Sequence, residues 1–398
     1  MPDRALAGRH IWVMAKGYAP DEGGMQSYAQ GVAEAYAATG ARVTVFGQSA
    51  AGPREERVGS VLLVDVGPGK SAAVPLRLRA AMRRRLLSAG KPLFVHGTTW
   101  RTSLLPLSLG LPFVTTFHGR EFMGGGWLAR RLMLRVATRA RAIVTVSRYS
   151  GERLKDRLGP RCPKPLILWN GLSIVPDARQ ATLPAAEDAP VTMLSVCRLE
   201  VRKNIAACVR ACAVLQREGH AFRYIIGGRG PELAPLRALV RKLDLAKCVK
   251  VVGKVPGHRL PALYRRADIF LHPQIAVDDQ RDFEGFGITI ADAMAHGAAT
   301  IAGVAGGPGD IIDNGRTGLL VDGQDDAAIV AAMRRLIADR REREAVGHAA
   351  RQHALRYFQW DRHVAEILSE LLPDFRRETC SATLRMPPLT ACPTARNH

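Results

Sequence analysis

Two successive trains of short β-branched or apolar runs, each followed by a longer Ala-, Leu- and Arg-rich stretch, constrain the fold more than any other feature of this chain. Strands that alternate with helical stretches pair in parallel, because the crossover must pass through a helix on one sheet face. The first train holds Ile11–Ala15, Val43–Phe46, Val61–Val66, Leu93–His96, Phe113–Phe117, Ile143–Ser147 and Leu166–Trp169. The second holds Met193–Val196, Tyr224–Gly227, Lys250–Gly253, Ile269–His272, Thr300–Ala302 and Leu319–Val321. The fold class is therefore α/β, with two doubly wound domains expected over 1–176 and 191–348. Residues 177–190, rich in Ala, Pro and acids, read as the linker. A helix over 349–373, bearing Tyr357, Phe358 and Trp360, is expected to pack back on the first domain, and the polar stretch 374–398 to be a disordered tail. Such folds bind ligands beyond the carboxyl ends of their strands, which places the expected site in a cleft between the domains.

The composition removes several function classes. No apolar run approaches the roughly 18 residues a membrane-spanning helix needs, and the first residues carry no signal-peptide pattern, so a cytoplasmic protein is expected. Seven scattered cysteines lack paired metal spacing, and free thiols are expected. The net charge of +21 is concentrated: residues 1–176 hold 26 basic against 10 acidic side chains, a net +16. Its densest clusters are Arg77–Arg85 and Arg130–Arg141, where Arg131, Arg135 and Arg139 recur every fourth residue beside Leu128, Leu132, Met133 and Val136. That reads as a basic amphipathic helix suited to an anionic membrane surface, or as a solvated Arg-rich face. Nucleic acid is not expected as a partner, since aromatics are 6% and no recognition module is visible.

Five segments carry chemistry. Phe283 to Ala295 places Glu284 and Asp292 eight residues apart around a Gly-Phe-Gly turn at a helix start; glycine admits a ligand to the backbone and helix N-termini favour anions. The alternative is an ordinary loop-to-helix junction with an acid near the helix start. Lys16 to Ser27 is a Gly-rich connection, containing Gly23 and Gly24, that leads into a helix; it lacks the dinucleotide and Walker spacings. His118 and Gly119 follow the Phe113–Phe117 run, at a ligand-facing strand end. Arg198 and Lys203 follow the Met193–Val196 run near another helix start, where two cations would neutralise a diphosphate; solvated surface cations are the alternative. Gly227, Gly228 and Gly230 leave the next strand, where they could pass beneath a nucleoside.

Together these segments, in this order, resemble the GT-B retaining glycosyltransferases, in particular family 4 (group 1), over nearly the whole chain to about Trp360. The resemblance implies two Rossmann-like domains, with the acceptor bound by the first and the nucleotide sugar by the second. It implies a catalytic set of Glu284, His118, Arg198 and Lys203, with Glu284 on hydroxyls of the donor sugar, His118 on the transferring sugar, and Arg198 with Lys203 on the diphosphate. Gly24, Phe286, Gly287 and Ile288 would complete the phosphate cradle through the backbone, and Gly228 would lie beneath the nucleoside. The second acid normally grips the ribose; here it is Asp292, one methylene shorter than the usual Glu, so that a ribose contact weaker than usual, mediated by water or replaced is expected. No metal or other cofactor is expected. The implied activity moves a hexose, mannose from GDP-mannose as the first choice, to a lipid-linked saccharide or polysaccharide. UDP-glucose or UDP-galactose with a soluble acceptor is the alternative donor reading, and a non-catalytic nucleotide-sugar scaffold the alternative class. A dehydrogenase is disfavoured, because neither half carries the glycine fingerprint with its acidic partner.

Overall fold

A strand buried on both faces of a parallel sheet needs a nearly continuous apolar run, and the chain supplies a set of these in each half. In the computed structural model, which describes residues 6–18, 23–69, 73–177, 189–372 and 375, they form two sheets. The first unit comprises the described residues to Gly171 together with the helix Trp360–Leu371; the second comprises those from Leu172 to Phe358.

The first sheet has eight strands: β1 (His10–Met14), β2 (Arg42–Gly47), β3 (Pro53–Val58), β4 (Val61–Val66), β5 (Phe94–Gly97), β6 (Phe113–Phe117), β7 (Ala142–Thr145) and β8 (Leu166–Ile167). Their order is β3-β4-β2-β1-β5-β6-β7-β8, parallel throughout except for the antiparallel pair β3·β4. Strand β3 is absent from the sequence reading because its residues, Pro-Arg-Glu-Glu-Arg-Val, carry charge where a strand run was sought. It lies at the sheet edge, where charged side chains deter pairing with other chains.

Handedness assigns the helices of this unit to faces. The steps β4→β5, β5→β6 and β6→β7 all run in one direction across the sheet, so right-handed crossovers put Ala73–Ala89, Leu104–Ser108 and Trp127–Arg139 on the same face. The step β1→β2 runs the other way and sends Gly24–Ala38 to the opposite face, where Trp360–Leu371 packs against it. Tyr28 is the centre of that contact: its hydroxyl bonds Thr116 Oγ1 at 2.7 Å and His363 Nε2 at 2.9 Å, and its ring meets Trp360 edge-on at 5.4 Å.

The second sheet runs in the order β11-β10-β9-β12-β13-β14, all parallel, from β9 (Val191–Val196), β10 (Phe222–Gly227), β11 (Val249–Gly253), β12 (Ile269–His272), β13 (Ala299–Gly303) and β14 (Leu319–Val321). Its core includes Met193, Tyr224, Ile226, Ile301 and Met333. Cys208 and Cys212 are part of that core, with burial pushing both thiols up, and the five described cysteines are free. Buried thiols of this kind act as small hydrophobes.

Two boundaries differ from those expected. The first unit ends at Gly171 rather than 176: Leu172 N–H donates to Phe358 O at 3.1 Å and the amides of Ser173 and Ile174 donate to Asp292, which ties this segment to the second unit. The returning helix starts at Trp360 rather than 349. Residues Arg340–Tyr357 form a helix of the second unit, packed on Ile288–Ala295, and Phe358 breaks it by turning its buried ring edge-on to Phe286 at 5.6 Å. Most of the expected linker, 178–188, lies outside the described residues, as does the tail except for Phe375, with Cys380 and Cys392.

Candidate active site

Strand β12 ends at His272, and the chain then turns through Gln274 and a loop to Glu284 before entering the helix Ile288–Ala295. Gly287 makes that entry with φ 92°, a left-handed conformation that a side chain would strain. The first-turn amides of a helix have no intrahelical acceptor, and Gly287 brings no side chain to cap them. A second glycine pair fixes the height of Glu284. A Cβ on Gly306 would lie 2.3 Å from Glu284 O and one on Gly307 2.0 Å from Gly285 O, and Gly307 N–H donates to Glu284 O at 2.8 Å. Gln274, fully buried, holds the same turn from below by donating to Gly303 O at 2.6 Å and Ala305 O at 2.9 Å.

Three side chains converge on one oxygen of Glu284. Lys203 Nζ makes a close ion pair with Oε2, Arg202 Nη1 lies 3.0 Å from it, and His272 Nε2 lies 3.4 Å from it. The other oxygen, Oε1, has no hydrogen-bond partner among the described residues. Burial works to raise the Glu284 pKa, but Lys203, His272 and Arg202 outweigh it and hold the carboxyl well below the usual range. The glutamate is therefore ionised, with one oxygen clamped and one offered. His272, fully buried with the Lys203 ammonium 3.3 Å away, is pushed down to about 4 and stays neutral. Removing charge from water costs several kcal/mol per ion, so these partners are what makes a buried carboxylate tenable here.

The cation pair expected from the sequence is rearranged. Lys203 is where it was expected, 9% exposed beside Glu284, but Arg198 is 68% exposed and pairs with Glu200 Oε1 at 3.0 Å. Arg202, which the sequence reading passed over, takes the inner place. The strand exit at Gly228 serves packing: its N–H donates to Gly253 O at 2.7 Å, and a Cβ there would lie 1.9 Å from Cys197 O. Close approach of the Cys197–Leu199 backbone is thus a sufficient reason for that glycine.

Asp292 is held from within the protein. It is 1% exposed; Oδ1 accepts from Ser173 N–H at 2.8 Å and Ile174 N–H at 3.1 Å, and Oδ2 accepts from Ser173 Oγ–H. Both oxygens are engaged by the Ser173–Ile174 turn, which anchors that segment to the helix Ile288–Ala295. Burial pushes its pKa up to about 6 against the pull of those three donors.

In the first unit His118 follows β6, and its Nε2–H donates to Thr98 O at 2.8 Å. That bond fixes the tautomer and leaves Nδ1 as an acceptor. Burial lowers the His118 pKa, which favours the neutral ring, and Tyr28 packs edge-on to it at 4.6 Å. Glu121 shapes the turn by accepting from the N–H groups of His118 at 2.6 Å and Gly119 at 2.8 Å. Gly24 opens the helix Gly24–Ala38, while residues 19–22 of the Gly-rich connection lie outside the described residues. Among the described residues no group of three or more His, Cys, Asp and Glu side chains is placed to hold a metal ion.

Known proteins share this plan. Residues 180–353 match the family model for glycosyl transferases group 1, and residues 22–173 match that for glycosyltransferase family 4. A GDP-mannose-dependent alpha-(1-6)-phosphatidylinositol monomannoside mannosyltransferase of Mycolicibacterium smegmatis is 33% identical over 72% of this chain and 78% of its own length. The chain belongs to glycosyltransferase family 4. Sucrose-phosphate synthase from Thermosynechococcus elongatus superposes with a TM-score of 0.76 at 20% identity, over 94% of this chain and all of the other. The catalytic domain of starch synthase IV from Arabidopsis thaliana gives 0.72 at 16% identity, over 93% and 99%. The protein is a glycosyltransferase with the two parallel α/β units of the GT-B fold. Within the family-4 chain, Arg202, His272, Gln274 and the Gly306–Gly307 turn are site features that the sequence reading missed. The turn left a trace, since Gly303, Gly306 and Gly307 follow a strand run and precede Pro308, as Gly227, Gly228 and Gly230 do before Pro231.

Proposed function

We propose that this glycosyltransferase moves a hexose, mannose from GDP-mannose first, to a lipid-linked saccharide or polysaccharide with retention of anomeric configuration and without a metal. The observation that carries the reading is Glu284, clamped through Oε2 and open at Oε1, beside Lys203 and an uncapped helix start. A carboxylate oxygen accepts sugar hydroxyls, while the ammonium and the first-turn amides suit the diphosphate. The GDP-mannose-dependent relative supports the choice of donor. In the proposed transfer the bond from the anomeric carbon to the phosphate oxygen breaks as the acceptor oxygen bonds the same face, and the departing phosphate takes the acceptor proton. Charge developing on the phosphate is met by Lys203 and the amides, and His118 Nδ1 accepts from a hydroxyl of the transferring sugar. A panel of GDP-mannose, UDP-glucose and UDP-galactose, assayed for nucleoside diphosphate release with EDTA present, tests this. Release from GDP-mannose is expected; release from a UDP-sugar alone replaces the donor, and activity that appears only with added metal removes the metal-free reading.

The acceptor class rests on the basic face of the first unit. Trp127–Arg139 exposes Trp127 and Leu128 together with Arg131, Arg135 and Arg139, and Ala73–Ala89, on the same sheet face, exposes Leu76, Leu87, Arg83 and Arg84. Among the described residues no helix is long and apolar enough to cross a membrane. Apolar tips among arginines suit attachment at the surface of an anionic bilayer, each basic group adding about 1 kcal/mol. The protein is expected to float with phosphatidylglycerol vesicles at low salt and to be released by high salt. Trp127→Ala combined with Arg131→Gln and Arg135→Gln should weaken flotation; equal flotation of parent and variant would discard this face as the contact.

A further inference from the structure

Arg202 precedes Lys203 in the turn Val201–Lys203, with its side chain 11% exposed. Its Nη1 lies 3.0 Å from Glu284 Oε2, and its Nε lies 3.2 Å from Asp282 Oδ1 and 3.5 Å from Glu200 Oε2. One guanidinium therefore spans three carboxylates on two segments: Glu200 beside its own turn, and Asp282 with Glu284 on the loop that enters the helix Ile288–Ala295. Lys203 and Arg202 both bind the same oxygen of Glu284, so the carboxylate has two cations where one would keep it ionised.

We propose that Arg202 is a positioning residue for donor-sugar recognition, holding Glu284 Oε2 so that Oε1 meets the sugar hydroxyls once a diphosphate has drawn Lys203 away. The inference rests on the nucleotide-sugar reading above. A diphosphate competes with Glu284 for the Lys203 ammonium, a compact charge on a flexible stem that turns readily between partners. Arg202 does not turn with it, because its largely buried side chain keeps two further ion pairs, Nε lying 3.2 Å from Asp282 Oδ1 and 3.5 Å from Glu200 Oε2. His272 cannot replace it, since a neutral ring at 3.4 Å supplies no charge. Glu284 thus exchanges one cation for the donor while the second keeps it ionised and aimed. The groups facing it are Lys203 and Arg202 from the turn, His272 from β12, Asp282 from its own loop and the Cys197 thiol beyond β9.

Binding measurements on the full chain separate this role from phosphate binding. GDP and GDP-mannose, with UDP and UDP-glucose as the second pair, are titrated into parent, Arg202→Gln, Arg202→Lys, Lys203→Gln and Glu284→Gln from acid to neutral pH. Arg202→Gln is expected to bind the free nucleoside diphosphate as the parent does, which also reports that it folds. Its affinity for the nucleotide sugar relative to the diphosphate should fall about tenfold to a hundredfold, the scale of a hydrogen bond to a charged group. The acid loss of nucleotide-sugar affinity should move to higher pH, because Glu284 has lost a cation. Arg202→Lys should recover part of both effects, and Lys203→Gln should lose the diphosphate itself. An unchanged ratio and pH dependence in Arg202→Gln, with Glu284→Gln impaired, would overturn the inference and leave the reading intact. Equal loss of diphosphate binding in Arg202→Gln and Lys203→Gln would make Arg202 a phosphate ligand instead. No binding of any nucleotide sugar by the parent would overturn the reading and the inference together.

Discussion

Glu284→Gln is expected to lower turnover about a hundredfold to a thousandfold, the loss typical of removing one preorganised group from a transition state. The glutamine keeps the size of the side chain but not the charge, so the change isolates electrostatics from packing. In the parent, Lys203, Arg202 and His272 bind Oε2 and leave Oε1 open, which gives the sugar an ionised, directed acceptor. With an amide, the hydroxyl loses its charged partner and Lys203 loses its counter-charge, while Arg202 keeps Asp282 and Glu200. Affinity for the free nucleoside diphosphate should be kept or raised, because Lys203 no longer has an ion pair to break. That opposition, poorer turnover with undiminished product binding, separates a sugar-facing role from general damage to the site. The acid limb of the parent's rate should also lie below the usual glutamate range, as the low pKa of Glu284 requires. A rate equal to the parent's would take Glu284 out of the site.

The parallel strands and the glycine turns that follow them were legible because they depend on local patterns: apolar runs set the strands, and glycine after a strand marks a turn. What escaped was non-local. Arg198 and Arg202 look alike in sequence, four residues apart at a strand exit. Which of them turns inward is decided by Asp282 and Glu284, some eighty residues later. The Gly306–Gly307 turn reads as a loop until the backbone of Glu284 and Gly285 is seen against it. Strand β3 was hidden by its charge, and the break at Phe358 by a helical composition that runs through it; the buried contact with Phe286 imposes the break from a distant segment. Asp292 was placed by resemblance alone, and there the tertiary contact with Ser173 decides its partner.

That contact predicts a pH dependence of stability. Asp292 has its pKa pushed up to about 6 in the folded chain, against about 3.9 for an unperturbed aspartate. Between those values the folded state binds more protons than the unfolded one, so stability falls as pH rises. The contribution is fully present below about pH 4 and is lost once pH passes about 6, with an amplitude of about 3 kcal/mol. Asp292→Asn removes the titration but keeps the geometry: Oδ1 still accepts from the amides of Ser173 and Ile174, and the new Nδ2–H donates to Ser173 Oγ. Urea titrations of parent and variant across this range should therefore show the parent gaining relative to the variant toward acid pH, with the variant at least as stable near neutrality. Taking the difference between the two chains cancels the other groups that titrate in the window. Asp292→Glu should cost about 1–3 kcal/mol at every pH, because the added methylene must be packed into a buried site and shifts the carboxylate off the Ser173 and Ile174 donors. Nucleoside diphosphate affinity should be the same in Asp292→Asn as in the parent, since both carboxylate oxygens are spent on the Ser173 turn. A pH-independent difference in stability, or a clear loss of nucleotide affinity in Asp292→Asn, would return this residue to the ribose.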